Sequence, residues 1–297
     1  MKNSTCTILC LLTMLGFALT FVQEKWHPFK LKPLGGVKYE TARPELTLKN
    51  FASGQFQSNA EQYSRENFGF REWAIRFYNQ TSYSLFDQTT NRFVVQGKDG
   101  KTFFEESYII SYTGETYLGE EKIQDNTRQL KLIQDLLRTK GITMLPVFVL
   151  GKASYYPELI PDNYIAKRHE TNNYQAYLKA FDEQSVEMLD FNRYFCERKG
   201  TEAHAIYCNL SAHWTVYAAS QAMDSLVRYM EDKTQQTQAH FQISGFDTSY
   251  LMSQDDDLYQ MMNLMFPMKH NTIYQPQFSF TEGYKPKVLT ISIEDRK

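Results

Sequence analysis

The longest apolar stretch of the chain lies within residues 1–23. The run Ser4–Val22 contains no charged residue, is long for the core of a signal peptide and is just long enough to span a bilayer. Leu19 and Phe21 interrupt the small-residue pattern that cleavage near Ala18 would require. We therefore expect this run to be an uncleaved anchor in the inner membrane, with a cleaved signal peptide as the alternative. Both alternatives place the rest of the chain in the periplasm.

The apolar pattern changes after this run. Residues 24–55 are polar and rich in Pro and Lys, which predicts an extended connector. Apolar residues then recur at spacings of three and four from Asn59 to Leu85, which predicts a helix. Two apolar runs within 93–104 flank the pair Asp99-Gly100, so this segment is predicted as strand, tight turn and strand.

Helix and strand patterns alternate in the middle of the chain. Helical spacing over 121–140 ends at a glycine, and the continuous apolar run 142–150 is typical of a strand buried on both faces. A helix at 174–184, a strand at 186–191 and a helix at 215–233 follow. This alternation predicts an α/β fold with a parallel sheet flanked by helices.

Ligands of such sheets bind beyond the carboxyl ends of the strands, where Lys152, Asp190 and His213 should emerge. His213 is the candidate general base, because histidine exchanges a proton near neutral pH. A general base of this kind usually has a carboxylate partner, but the residue two positions upstream is the uncharged Ser211. Asp190 is a second candidate partner, whose ordinary role would be to cap a turn.

The composition limits the remaining chemistry. The chain is 42% hydrophobic and 22% charged with a net charge of -2, so it has no general attraction for nucleic acid. We expect no cofactor and no metal, and the cluster Asp255–Asp257 is interpreted as a solvated helix start.

Cys196 and Cys208 are the only cysteines outside the N-terminal run. A disulfide between them would hold the His213 segment in place, and two unpaired thiols are the alternative.

Several short motifs occur in the order shown by one known family. They are Phe68-Gly69-Phe70-Arg71, Gly97-Lys98-Asp99-Gly100, Lys152-Ala153-Ser154-Tyr155-Tyr156-Pro157-Glu158 and Asp257-Leu258. Together they resemble the SGNH-hydrolase-like domain of the alginate O-acetyltransferase family, periplasmic proteins that move acetyl groups onto exported polysaccharide. The resemblance covers most of the chain from about Phe56. It implies a flavodoxin-like parallel sheet within a single domain over 56–297.

The sequence departs from the family pattern at two places. An Asp-x-His-Trp segment supplies the acid and the base of the family's triad, but Ser211 occupies the Asp position before His213 and Trp214. The late strand 287–292 continues to the end of the sequence without the Asp-Ser-Phe that supplies the nucleophile. Ser292 lacks the glycine or aspartate of an exposed elbow. We therefore expect an incomplete C-terminal end of the domain and severely reduced or absent acetyl transfer.

Two functions stay open. The first is acyl transfer or ester hydrolysis on an exported polysaccharide, with His213 as the base. The second is a pseudoenzyme, a membrane-tethered glycan-binding or assembly module of exopolysaccharide production. Four side chains are predicted to bind the substrate. Lys152 would contact an anionic sugar, with a solvated loop lysine as the alternative, and the aromatic faces of Tyr155, Tyr156 and Trp214 would stack on sugar rings. The resemblance also implies an acetyl-donating membrane partner.

Overall fold

The computed structural model describes residues 2–37, 41–237, 241–252 and 254–282. The chain divides into two compact units. The first unit comprises residues 1–95 and 258–269, and the second comprises residues 96–257 and 270–297. The first boundary therefore falls at Val95, inside the region predicted as one domain.

The first unit begins with four helices: α1 (Lys2–Trp26), α2 (Leu48–Ala52), α3 (Gln55–Asn67) and α4 (Arg71–Phe86). By length and composition, α1 could cross a membrane from Thr5 to Trp26, and none of its most apolar window is buried. Helix α2 lies within the predicted connector 24–55.

The helix predicted over 59–85 is in fact two helices, α3 and α4. Phe70 precedes α4 with a left-handed φ of 65°. Gly69 lies so close to the Thr20 carbonyl oxygen that a Cβ atom would overlap it. Packing of the backbone against α1 thus breaks the helix at a place where the apolar spacing gives no sign of an end.

The elements that follow α4 along the chain are, in order, β1 (Val94–Gln96), β2 (Phe103–Glu105), α5 (Glu106–Thr113), α6 (Glu120–Thr139), β3 (Val147–Phe148), α7 (Lys152–Tyr155), a 3-10 turn (Pro157–Leu159), α8 (Asp162–Ile165), α9 (Asn173–Glu183), β4 (Leu189–Asp190), α10 (Phe191–Glu197), α11 (Val216–Thr234), β5 (Phe241–Ser249), α12 (Asp257–Met262) and β6 (Ile273–Phe280). Strands β1 and β2 form the predicted strand–turn–strand. Helices α6, α9 and α11 confirm the three helices predicted after residue 120 within two residues at each end.

Strands β3 and β4 pair in parallel, with Val147 opposite Leu189 and Phe148 opposite Asp190. The predicted α/β class with a parallel sheet is confirmed. The strand predicted over 142–150 is wrong in length and burial, because only two of its residues pair and Val149 is 58% exposed. An apolar run alone does not supply the second neighbouring strand that would bury it.

Strands β5 and β6 form a separate antiparallel sheet that packs against α11. A core cluster of the second unit includes Leu150 and Phe191, which follow closely after β3 and β4 along the chain. Its fully buried members are Leu150, Tyr155, Phe191, Phe195, Ile206, Tyr207, Tyr217, Ala218 and Ala222.

Candidate functional site

His213 lies on a loop whose two ends are tied together just before α11. Tyr207 and Trp214 form an antiparallel bridge across the base of the loop. The Thr215 N–H donates to the Ile206 carbonyl at 2.8 Å, and the Thr215 hydroxyl caps α11 by accepting from the Ala218 N–H. The loop therefore has a fixed base and presents the His213 side chain with 57% of its surface exposed.

Asp257, the first residue of α12, supplies a carboxylate to His213. Its Oδ2 lies 3.5 Å from His213 Nε2, while its Oδ1 accepts from the Ala212 N–H at 3.0 Å. The backbone hydrogen bond fixes the carboxylate beside the imidazole. A carboxylate in this position can orient the ring and stabilise the imidazolium, although 3.5 Å is longer than a good hydrogen bond. Sequence reasoning missed this partner, because it assigned Asp257 to a solvated helix start.

Ser211, at the family's Asp position, does not face the imidazole. It is completely buried, and its hydroxyl donates to the Gln254 carbonyl at 2.6 Å and accepts from the His213 N–H at 2.9 Å. The hydroxyl thus ties the backbone of the loop to the segment before α12. Ser211 is part of the support for His213 and contributes no charge to it.

Lys152, predicted to bind an anionic sugar, is 1% exposed and is not available to a ligand. Its ammonium donates to the carbonyls of Cys208 at 2.7 Å, Asn209 at 3.3 Å and Ser211 at 2.6 Å. Burial lowers the pKa of Lys152 from 10.5 to about 7, while the nearby Cys208, Asp257 and Asp99 oppose that shift. The prediction of a substrate-binding lysine is therefore corrected, because this side chain lies beneath the His213 loop.

The predicted sugar-stacking surface does not form either. Tyr155 is 5% exposed and belongs to the core cluster, where its ring meets that of Tyr156 edge-on at 4.7 Å. Trp214 is half-buried, with its ring 6.2 Å from that of Phe195. Burial is the main cause that raises the pKa of Tyr156 to about 12. These aromatic side chains fill the interior and leave no open aromatic platform between them.

Asp190 caps a helix, which is the ordinary role considered for it. Its Oδ1 accepts from the Arg193 N–H at 2.9 Å at the start of α10, and its Oδ2 accepts from the Tyr174 hydroxyl at 2.7 Å. Both carboxylate oxygens are thus engaged within the β4–α10 corner. Asp257 takes the place beside His213 that was considered for Asp190.

The predicted disulfide is not formed, because Cys196 and Cys208 are both free thiols. Cys196 Sγ lies 3.6 Å from the Ser154 carbonyl oxygen, whereas Cys208 Sγ lies 4.0 Å from a carboxylate oxygen of Asp255. Burial raises the pKa of Cys208 to about 12, and Asp255 adds to the shift. The two thiols thus belong to different local environments.

Across the described ranges, no group of three or more His, Cys, Asp and Glu residues is arranged to hold a metal ion.

The described residues place no serine hydroxyl beside the imidazole. Within the part of the chain that the structure describes, the His213 imidazole contacts Asp257 and no serine hydroxyl. Ser292 and the predicted late strand 287–292 lie outside the described residues. The described site therefore consists of an exposed imidazole and a carboxylate on a supported loop.

A family model described as SGNH hydrolase-like domain, acetyltransferase AlgX, matches residues 94–282, which is more than half of the chain. The chain belongs to this family. The match includes the loop of His213 and the carboxylate of Asp257, and it confirms the resemblance drawn from the motifs. The AlgX-type domain is related to polysaccharide O-acetyltransferase domains, and the SGNH-like fold follows from the family.

Two solved structures are similar to this AlgX-type chain. The O-acetyltransferase domain of Pseudomonas putida AlgJ is 16% identical with a TM-score of 0.41, over 63% of this chain and 64% of that chain. Pseudomonas aeruginosa AlgX is 18% identical with a TM-score of 0.41, over 64% of this chain and 45% of that chain. The match thus spans less than two thirds of either solved chain. A comparison with curated proteins finds no match.

Proposed function

We propose that this chain is an exported SGNH-like domain of polysaccharide O-acetylation that keeps an oriented general base and is impaired in acetyl transfer in this form. The family supports the class of reaction. The oriented general base is inferred from the pair of His213 and Asp257. The imidazole is exposed, and a carboxylate is held beside it.

This pair has a defined chemical capacity. An imidazole oriented by a carboxylate can take a proton from water as the oxygen of that water attacks an acetyl carbonyl. It can then return the proton to the departing sugar oxygen, which gives acetate and the free hydroxyl. Transfer through an acetyl-enzyme also requires a serine hydroxyl within hydrogen-bond reach of the imidazole. Because the described residues place none there, we expect slow ester hydrolysis and little acetyl-enzyme.

The test measures these two activities separately. The solubilised full chain is treated with a fluorophosphonate probe for active serines and assayed with 4-nitrophenyl acetate. We expect no labelled serine and a hydrolysis rate that falls about 100-fold in His213→Ala, the range for loss of a general base. Asp257→Asn should lower the rate while leaving the fold intact. His169→Ala, which removes an exposed histidine elsewhere, is the matched control and should keep the rate.

Two results would overturn the proposal. Stoichiometric labelling of a serine that disappears in His213→Ala would mean that a complete triad exists and that acetyl transfer is not impaired. Equal rates of hydrolysis in wild type and His213→Ala would show that His213 does not act as the general base. The second result would leave the glycan-binding or assembly module, whose expected aromatic surface is packed inside the protein.

We also propose that α1 stays in place as an inner-membrane anchor and that the remaining chain lies in the periplasm. The support is the length of the apolar helix and the lack of burial of its apolar window. The polysaccharide and an acetyl-donating membrane protein are the partners that this placement favours. Alkaline extraction of membranes should leave the chain in the pellet with its N-terminus intact, whereas a soluble chain starting near residue 24 would identify a cleaved signal.

A further inference from the structure

Helix α4 carries apolar side chains on its outer face. Trp73 is 51% exposed, Phe77 65%, Tyr78 65% and Leu85 71%, and at 100° per residue they lie within one stripe about 140° wide. The opposite side of the helix contains Asn79, which is buried and donates to the Met262 carbonyl at 2.8 Å. A helix that faces only water normally has the reverse pattern, so this stripe indicates a contact surface.

The start of α4 is fixed to the end of α1. The Gly69 backbone lies directly against the Thr20 carbonyl, with no room for a side chain between them. The Phe70 ring lies 5.8 Å from that of Phe29, just after α1, and 5.7 Å from that of Trp73. The exposed stripe therefore begins where the apolar helix ends.

We propose that the face of α4 formed by Trp73, Phe77 and Tyr78 lies in the interfacial layer of the bilayer that holds α1. The proposal rests on α1 as the membrane anchor. At 1.5 Å of rise per residue, Phe77 lies only about 9 Å along α4 from its start. The headgroup layer is about 5–8 Å thick on each side of the hydrocarbon core. The first two turns of α4 thus begin in this layer and end in it or close to its outer edge.

The chemistry of the stripe favours the bilayer over a protein partner or a second copy of the chain. Tryptophan and tyrosine prefer the membrane–water interface, where one end of the ring meets lipid and the other meets water. Trp26, at the end of α1, is also 59% exposed. The Lys25 ammonium lies 5.1 Å from the centre of the Trp26 ring, as expected for a cation at the edge of a membrane span. Leu85 lies farther along the helix and is not included in the proposed contact.

The experiment measures lipid contact of Trp73 in the full chain. One copy of the chain is placed in each phosphatidylcholine nanodisc, and tryptophan emission is recorded with brominated phosphatidylcholine and, separately, with iodide in the water. The contribution of Trp73 is the difference between wild type and Trp73→Phe. We expect brominated lipid to quench this contribution at least twofold and iodide to have little effect. Trp214, isolated in the double variant Trp26→Phe and Trp73→Phe, is the control that lipid should not quench.

The outcomes separate the anchor from the surface. If Trp26 is quenched by brominated lipid and Trp73 is quenched only by iodide, α1 is inserted but the α4 face lies in water, and the proposal is overturned. Protection of Trp73 from both quenchers means that protein covers the face, which also overturns it. If brominated lipid quenches neither Trp26 nor Trp73, α1 is not inserted in the bilayer. Both the anchor and the proposed lipid contact of α4 are then wrong.

Discussion

Replacing Lys152 by methionine removes the ammonium that lies beneath the His213 loop while keeping most of the side-chain volume. The ammonium is 1% exposed and supplies its three N–H donors to the carbonyls of Cys208, Asn209 and Ser211. In Lys152→Met these carbonyls lose their common donor. The Asn209 carbonyl keeps the Phe103 N–H as a donor at 2.8 Å, and the Cys208 carbonyl keeps the Ser211 N–H at 3.4 Å. A buried carbonyl that loses its donor, as that of Ser211 would, costs about 1–3 kcal/mol.

The effect should depend on pH, because burial lowers the pKa of Lys152 to about 7 from 10.5. Below pH 7 the folded and unfolded states both hold the proton, so stability from this group does not vary. Between pH 7 and 10.5 the unfolded state holds more of the proton, and the free energy of unfolding of the wild type rises with pH. The slope is about 1.4 kcal/mol per pH unit. The difference in the free energy of unfolding between wild type and Lys152→Met should therefore be about 2.5 kcal/mol larger at pH 10 than at pH 8, because the slope decreases as the pH approaches 10.5.

The assay is pulse proteolysis in urea on the solubilised full chain at a series of pH values. Taking the difference between wild type and variant cancels the titration of tyrosines and other groups common to both. Lys179→Met, which removes a lysine with 64% of its side chain exposed, is the matched control and should give a difference that does not change with pH. A difference between wild type and Lys152→Met that stays constant or shrinks from pH 8 to pH 10 would refute the reasoning.

Two further predictions concern the same loop. Ser211→Asp restores the family's carboxylate in sequence, but it should lower the free energy of unfolding by at least about 3 kcal/mol, because a buried charge would face the Gln254 carbonyl that now accepts from Ser211. Thermal unfolding of Ser211→Asp is compared with that of wild type and of Ser211→Ala. An aspartate variant as stable as the wild type would contradict the prediction. Alkylation of the unfolded, unreduced chain followed by peptide mass mapping should find Cys196 and Cys208 each alkylated. A pair of peptides linked through these two cysteines would instead show that the disulfide forms.

Helices α6, α9 and α11 could be predicted from the sequence because their signals are local. Asn172 caps α9 in a reciprocal box with Gln175, and Thr215 caps α11, each just before an amphipathic run. The strands could not be predicted to the same extent. The run 142–150 is apolar throughout, but its pairing depends on Leu189 and Asp190, which lie far along the chain. Burial and strand length follow from such distant partners and leave no periodic signal in the run itself.

The site shows the same difference between local and distant information. His213 could be proposed from the sequence because its side chain has the chemistry of a general base by itself. Its carboxylate could not, because Asp257 is 45 residues from Ala212 and lies in an acidic cluster that is equally typical of a helix start. Lys152 was expected at the surface, since lysine is almost never fully buried unless its charge has partners. Those partners are backbone carbonyls, which no side-chain pattern records.

The positions of Lys152 and Asp257 together explain how the His213 loop is held without a disulfide. The loop directs the carbonyls of Cys208 and Ser211 towards a cation, and it directs the Ala212 N–H towards an anion. Each backbone dipole therefore meets the charge that favours its orientation, and a hydrogen bond to a charged group contributes more than a neutral one. A cross-link would restrict the ends of the loop, whereas these two charges specify the direction of successive peptide groups next to the imidazole. Because the same carboxylate fixes the backbone and lies beside His213, movement of Asp257 would disturb both the support of the imidazole and its electrostatic environment.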